Sequence, residues 1–326
     1  MPEKVLVTGS TGFVGSALCR LLVAQGYSVR AFHRPSSSLA ALEGIPVEGI
    51  VGDILAPESL EKALDGVAWV FHAAAESAYW RHPQQVVRTA IEGTRNVVQA
   101  ASRAGCSRLI LTSSLGALGV PEAGRLLDEG HEFNLPPGRF PYGYAKWMSE
   151  REALRAAGGQ LEVIIVNPSI VMGAGDLNQI GGSMVIQAAR GRTFLYTEGG
   201  ANYVHIEDVA AGHLAAALHG TPGERYLLGA ENLSHRQVFA ILAEIVGRKP
   251  PWLRVPSWAV EPMASVIGLL SRFSQLPISA DQVRMSRHYL YCDLAKAGRE
   301  LGFAPARSFR QAAVDAYEWY RARGVL

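Results

Sequence analysis

The chain has 326 residues, a formal charge of +2 at neutral pH and 18% charged side chains. That length suits one large domain or a main domain with a smaller lobe, and a charge so near zero argues against a nucleic-acid partner. Cys19, Cys106 and Cys292 are the three cysteines; they are far apart and lack CxxC or Cys/His spacing, so neither a disulfide framework nor a metal site is expected, and the expected setting is a reducing cytoplasm.

The first apolar run starts at Lys4, so a secretory leader is not expected. From there, apolar or β-branched runs at residues 4–7, 28–32, 47–51, 69–72, 109–112 and 163–166 alternate with helical periods at 13–25, 57–64, 83–104 and 142–157. Strict alternation predicts right-handed crossovers and a parallel sheet, and runs that are apolar throughout predict that both its faces are covered. The expected fold is α/β, a Rossmann-type doubly wound parallel sheet over residues 1–170. After Asn167 the pattern changes: Met172-Gly-Ala-Gly-Asp176 and Gly181-Gly182 read as loop, and residues 225–228 read as a further strand of the Rossmann domain. Helical periods follow at 234–246, 257–273 and 309–323, with Pro250, Pro251, Pro256 and Pro277 punctuating them. Residues 171–326 are expected to form a smaller, mostly helical, discontinuous substrate lobe over the carboxyl edge of the sheet. Its apolar stretch near 258–270 is interrupted by Glu261 and Pro262 and is too short to span a bilayer, so stable membrane insertion is not expected. Docking on a membrane surface explains that stretch no better than an apolar helix facing the pocket does.

Gly9, Gly12 and Gly15 lie between the first strand and the first helix. A strand that turns there into a helix points backbone N–H groups and a positive helix terminus at one small volume, which suits a pyrophosphate. Gly9 would serve the tight turn, Gly12 close approach of a ligand, and Gly15 close packing of helix on strand; Thr11, Phe13 and Val14 complete the expected contacts. The second strand runs into Phe32-His33-Arg34-Pro35-Ser36-Ser37-Ser38, with no carboxylate to accept from a ribose 2′-hydroxyl. His33, Arg34 and Ser37 suit a 2′-phosphate instead, so NADP is favoured, with NAD as the alternative. Asp53 and Ile54 end the third strand where an adenine edge would lie, although Asp53 serves equally well as a helix N-cap before Pro57.

Tyr142-Gly-Tyr-Ala-Lys146 puts a phenol and an ammonium four residues apart on a helix, hence on one face, where the cation would favour the phenolate. Ser114 ends a central strand and can orient a substrate carbonyl against Tyr142, while adjacent Ser113 faces the other way and reads as a buried hydroxyl bonded to backbone.

With these positions in view, the chain resembles an extended short-chain dehydrogenase/reductase. The resemblance rests on Thr8-Gly9-x-x-Gly12-x-x-Gly15, Gly52-Asp53, Phe71-His72-Ala73-Ala74, Gly93-Thr94-x-Asn96, Thr112-Ser113-Ser114, Tyr142-x-x-x-Lys146, Asn167-Pro168-Ser169, His205-Ile-Glu-Asp208-Val and Asp293-x-x-Lys296. It implies Ser114, Tyr142 and Lys146 as the catalytic set, with Ala73, Ala74, Ala75 and Thr112 against the cofactor. It also implies Pro168, Ser169, Ile170 and Val171 beside the nicotinamide, and a homodimer built from the helices near 83–104 and 142–157. One departure is Ala90, where many relatives carry an Asn that could brace the active-site backbone.

Two further features narrow the choice within the resemblance. Leu115-Gly116 stands where dehydratases carry an Asp-Glu pair, and Ala201 stands where sugar-nucleotide enzymes place an Arg to clamp the diphosphate, with Arg190 and Arg192 as substitutes. The remaining likeness is to dihydroflavonol 4-reductases and 3β-hydroxysteroid dehydrogenases. The expected reaction is hydride delivery from NADPH to a ketone or aldehyde on a small, fairly apolar molecule, with Tyr142 as proton donor, Ser114 on the oxygen and Lys146 lowering the phenol pKa. Tyr79, Trp80, Phe133, Phe140 and Met172 would ring the pocket, Trp80 touching substrate. The alternatives are a nucleotide-sugar 4-epimerase with tightly bound NAD and a non-catalytic NADP-sensing protein.

Overall fold

The structure is a computed structural model and describes residues 3–75, 83–271 and 278–326. Six strands come first: β1 (Lys4–Thr8), β2 (Ser28–His33), β3 (Glu48–Val51), β4 (Trp69–His72), β5 (Arg108–Thr112) and β6 (Glu162–Pro168). Seven more follow: β7 (Ile170–Met172), β8 (Leu195–Thr197), β9 (Gly200–His205), β10 (Arg225–Leu228), β11 (Glu231–Ser234), β12 (Leu253–Val255) and β13 (Tyr289–Leu290). Between them run the helices α1 (Phe13–Ala24), α2 (Pro57–Leu64), α3 (Pro83–Arg88), α4 (Thr94–Arg103), α5 (Pro141–Ala156) and α6 (Ser183–Ala189). The chain closes with α7 (Ile206–His219), α8 (His235–Ile245), α9 (Ser257–Leu270), α10 (Ala280–Met285), α11 (Ala295–Leu301) and α12 (Phe309–Ala322).

Seven strands form one sheet in the order β10-β6-β5-β4-β1-β2-β3, every pair parallel. The order reverses between β1 and β4, and that switch point opens a crevice beyond the carboxyl ends of the strands. Val5, Val7, Leu18, Leu22 and Ile110 are buried on one face, and Leu6, Leu60, Val70, Val97 and Leu111 on the other. Double coverage is why the strands read as unbroken apolar runs. The fold class is the Rossmann type expected, with β10 supplying the extra strand.

Beyond β6 the chain holds more strand than expected. β11 pairs one edge of β9, while β13 and β7 pair successive stretches of the other edge to make a second sheet, and β12 pairs β8. α6, α8 and α12 pack on this sheet around Tyr203, Val238, Leu242 and Phe309. Strands of two to four residues give no legible period, and Gly200, Ala201 and Asn202 make even β9 look like loop. Met172, read as loop, ends β7 and is fully buried.

The helical period at 83–104 is interrupted in the structure. A π-turn over Thr89–Gly93 separates α3 from α4, and Gly93 packs so tightly that a Cβ there would lie 2.5 Å from Ile54 Cδ1. The period at 257–273 yields α9 as far as Leu270, and its last two positions and Pro277 lie outside the described residues. No helix among the described residues is long and apolar enough to cross a membrane.

Candidate functional site

The glycine turn is held by sterics. Gly9 has φ +65° and its backbone abuts Ala73 and Ala74 so closely that a Cβ would sit 2.6 Å from Ala74 Cα. A Cβ on Gly15 would fall 2.1 Å from Gly9 O, so α1 is pressed onto the turn itself rather than onto the strand. Gly12 is different: its Cβ would meet only Gly9 O, at 3.2 Å, and the space beyond is open. Gly12 is also the N-cap of α1, where no side chain accepts from the first turn and no acidic residue lies. Backbone donors and the positive end of α1, from Thr11 through Phe13 and Val14, thus face the open side of the turn, the arrangement an anion needs.

Next to it, the pairing of Thr8 with Phe32 brings the end of β2 beside the turn. Arg34 is exposed there, and its carbonyl oxygen accepts from Ser37 N at 3.0 Å in a tight turn. His33 Nδ1 lies 3.1 Å from the same carbonyl oxygen. Asp53 caps no helix, since the N-cap of α2 is Ala56. Its Oδ1 accepts instead from Leu55 N at 2.9 Å, closing the turn that carries buried Ile54.

Between the turn and α5 lies buried His72. Its ring bridges Thr8 Oγ1 at 2.7 Å and Thr94 Oγ1 at 3.2 Å, and burial, with the charge of Lys146 adding, holds its pKa down to about 3. A neutral imidazole therefore ties β1, β4 and α4 together, and Ala74 N donates to the same threonine oxygen at 3.3 Å.

The structure brings Ser114, Tyr142 and Lys146 together. Ser114 has extended backbone and caps a short turn, its Oγ accepting from Gly116 N at 3.1 Å. Tyr142 opens α5 and is hydrogen-bonded to Ser114; burial pushes its hydroxyl above the ordinary value and that bond opposes the rise. Depression of the phenol by Lys146 was expected and is not what the structure gives. The ammonium points past the ring and donates to Thr112 O at 2.8 Å, and burial pulls it down to about 8 while Glu150 opposes the fall. Ala74, Ala75, Ala90, Thr94, Tyr142 and Lys146 line one small cavity, so the missing Asn side chain has become space.

Behind the trio stands a residue the sequence reading missed. Glu150, one turn after Lys146 and buried, accepts from Ser113 Oγ, from Asn167 Nδ2 at 2.6 Å and from Arg225 Nη1 at 3.2 Å. Ser113 therefore bonds a carboxylate rather than backbone, because α5 lies over the end of β5. Asn167 Nδ2 also donates to Ser114 O at 3.0 Å, so Glu150 braces the serine backbone through one amide. Arg225 carries the link outward, donating to Glu129 O at 2.6 Å and His131 O at 2.8 Å in the loop before α5. The readable signal was a carboxylate four residues beyond the lysine. His213, under Thr112, was missed too: Thr112 Oγ1 lies 2.8 Å from its Nε2, and its Nδ1–H donates to Val209 O at 2.8 Å.

The expected ring of aromatics comes together only in part. Phe140 packs beside Tyr142, with ring centres 6.1 Å apart. Phe133 stacks on Trp147 and Tyr144, on another side of α5, and Met172 is buried among Val185, Ile186 and Ala201, because β7 turns it into the second core. Tyr79 and Trp80 lie outside the described residues. Ala201 belongs to that same core, and Arg190 donates to Val325 O at 3.2 Å near the chain end. His205, Asp208 and Lys296, read as motif positions, make structural contacts: His205 caps α7, Asp208 accepts from Arg307, and Lys296 lies on the Tyr226 ring.

A dinucleotide fits the residues present. Asn167 Oδ1 and Ser169 Oγ, buried where β6 ends, have no hydrogen-bond partner among the described residues, and Ile170 and Val171 continue from them in β7. Orphaned polar atoms of this kind are what an amide-bearing ring would satisfy. Among the described residues no group of three or more His, Cys, Asp or Glu is placed to hold a metal ion.

A doubly wound sheet with such a cradle at its switch point and a serine, a tyrosine and a buried lysine beside it defines an NAD(P)-binding protein of the short-chain dehydrogenase/reductase type. Residues 5–229 match the NAD dependent epimerase/dehydratase family, and the chain belongs to that family, as an extended member. It is 36% identical to a protein of Synechocystis sp. provisionally named dihydroflavonol 4-reductase, over 100% of this chain and 97% of that one. It is 34% identical to sterol demethylase protein B of Methylococcus capsulatus, over 98% and 99%. Among solved structures it resembles a nucleoside-diphosphate-sugar epimerase from Pseudomonas aeruginosa, with a TM-score of 0.83, 27% identity and coverage of 99% and 98%.

Proposed function

We propose that the chain is a reductase that uses NADPH, with NAD as the lesser cofactor, to reduce a ketone or aldehyde on a small, fairly apolar molecule. The observation that carries the reading is Tyr142 hydrogen-bonded to Ser114 and one helical turn from buried Lys146, beside a turn built for pyrophosphate. Relatives named for a dihydroflavonol and for a sterol support an apolar substrate.

The bound nicotinamide supplies hydride. Around it, the backbone of Gly9, Thr11, Gly12, Phe13 and Val14 would hold the pyrophosphate, and His33, Arg34 and Ser37 would hold the 2′-phosphate. Asp53 and Ile54 would receive the adenine, Ala73, Ala74, Ala75 and Thr112 would line the middle of the groove, and Pro168, Ser169, Ile170 and Val171 would meet the carboxamide. Ser114 donates to the substrate oxygen and Tyr142 gives that oxygen its proton. Lys146, which donates to Thr112 O, would hold a ribose hydroxyl of the bound cofactor, and from there its charge would favour the phenolate. The reading includes a cytoplasmic setting for three buried, unbridged thiols and a homodimer through α4 and α5.

Two observations weigh against the epimerase: Ala201 offers no guanidinium, and Arg190 is engaged at the chain end. An intact Ser114, Tyr142 and Lys146 set weighs against a sensor, which has no use for all three. The test is NADPH oxidation against a panel of ketones and aldehydes, with UDP-sugars as controls. Tyr142→Phe should lower the rate by roughly 10²–10⁴-fold and leave NADPH binding nearly intact. Undiminished turnover by that variant, or a tightly held oxidised cofactor with UDP-sugar interconversion, overturns the reading.

A further inference from the structure

We propose that the outward face of α9, with the adjoining Trp252 turn, docks on the surface of an anionic lipid bilayer and takes substrate from it. The proposal rests on the reading of an apolar substrate.

α9 is apolar on two sides. Its inner stripe, Val260 and Ala264 with Met263 and Ile267, packs on Val255 and Val283. Its outer stripe runs Trp258, Pro262, Val266 and Leu269 at intervals of one helical turn, so those side chains share a face. Trp258 is 80% exposed, Val266 56% and Leu269 55%. A helix on a protein surface ordinarily turns polar residues outward, and an apolar helix facing a pocket would hide them. α9 does neither.

Its neighbours extend the patch. Leu253 N donates to Phe194 O at 3.2 Å, which brings exposed Phe194 beside exposed Trp252 and Leu253, and α10, whose approach carries exposed Ile278, packs against α9. Two tryptophans on such a surface suit the headgroup boundary, where an amphipathic ring has one apolar and one wet side.

Charge selects the occupant. The only charged residue in α9 is Glu261, and it is paired with Arg139 at 2.5 Å and Arg284 at 3.1 Å. The rim, in contrast, is cationic: Arg248, Lys249 and Arg254 bracket Trp252, Arg192 precedes Phe194, and all four are exposed. Glu198 is the carboxylate set against them, on Arg254 at 2.7 Å. In a chain of net charge +2 this is a local excess, and it fits anionic headgroups. A second copy of the same face would bring cation against cation about a twofold axis. The Arg139 link also joins α9 to the turn that leads into Pro141 and Tyr142, so the docking face adjoins the segment that carries the proposed proton donor.

The experiment is flotation of the purified full-length chain with phosphatidylethanolamine–phosphatidylglycerol vesicles and, in parallel, with phosphatidylcholine vesicles. The chain should float with the first and not the second. Trp258→Ser combined with Leu269→Ser should weaken binding about tenfold or more, and Lys249→Gln roughly fivefold. Turnover of a water-soluble aldehyde should be unchanged in these variants, while Tyr142→Phe should float like the parent. Absence of flotation, flotation indifferent to the apolar pair, or a solution mass that falls by half in Trp258→Ser would overturn the proposal. Failure of the reductase reading has its own signature, intact flotation with no carbonyl reduced.

Discussion

Glu150 is the residue on which most depends without touching the groups proposed for chemistry. Burial pushes its carboxyl pKa up, and the hydrogen bonds from Ser113, Asn167 and Arg225, with the charge of that arginine, oppose the rise and favour the carboxylate. That charge in turn supports the ammonium of Lys146, which burial alone would push lower. Carbonyl reduction needs the ammonium, so the rate should decline as pH rises through about 8, where Lys146 loses its proton. Glu150→Gln removes the supporting charge, lets the lysine pKa fall, and should move that decline to lower pH. It also takes from Arg225 its buried carboxylate, leaving Glu132 and the carbonyl oxygens of Glu129 and His131, at a cost of roughly 1–3 kcal/mol. A pH–rate profile together with a urea midpoint checks both; an alkaline limb that stays in place would show that Glu150 acts on packing alone.

At the scale of the element, the turn between β1 and α1 separates the duties of its glycines. Gly15 is needed by the fold, because its Cβ would enter Gly9 backbone, whereas a Cβ at Gly12 would only crowd Gly9 O, at 3.2 Å, and its absence keeps the approach to α1 clear. Gly15→Ala should therefore destabilise the chain by about 2 kcal/mol or more. Gly12→Ala should shift Tm by only a few degrees, roughly 1 kcal/mol or less, yet weaken NADPH binding at least about tenfold. Calorimetry and cofactor titration on the two variants separate the roles, and equal losses of stability would refute the division. The π-turn after α3 belongs to the same scale. Sequence periodicity carried one helix through residues 83–104, since one inserted residue shifts the phase too little to read, but close packing of Gly93 on Ile54 needs it.

Across the whole molecule, two buried neutral histidines link acid stability to the site. His72 joins β1, β4 and α4, and His213 joins β5 to α7; burial holds them down to about 3 and about 4. Unfolded, each would bind a proton near 6.5, so between that pH and about 4 the unfolded chain takes up protons that the folded chain refuses. Stability should fall as pH drops through this window, by on the order of 3 kcal/mol for each histidine. Thermal melts from pH 7 to pH 4.5 check the slope, and His72→Asn should flatten it.

The sequence by itself determined the sheet and the turn. Seven apolar runs, the glycine spacing and the Tyr142–Lys146 spacing are local patterns, set by backbone geometry within a few residues, and they were legible for that reason. Tertiary structure alone decided what depends on distant segments meeting. Glu150 needed β6 and β10 beside α5 before it had partners, Lys146 needed Thr112 O before its direction was set, and Met172 went into a core because β9 lay next to it. The outward face of α9 is of the same kind. Its composition is local, but whether Trp258 meets protein or water depends on which stripe packing on Val255 and Val283 consumes.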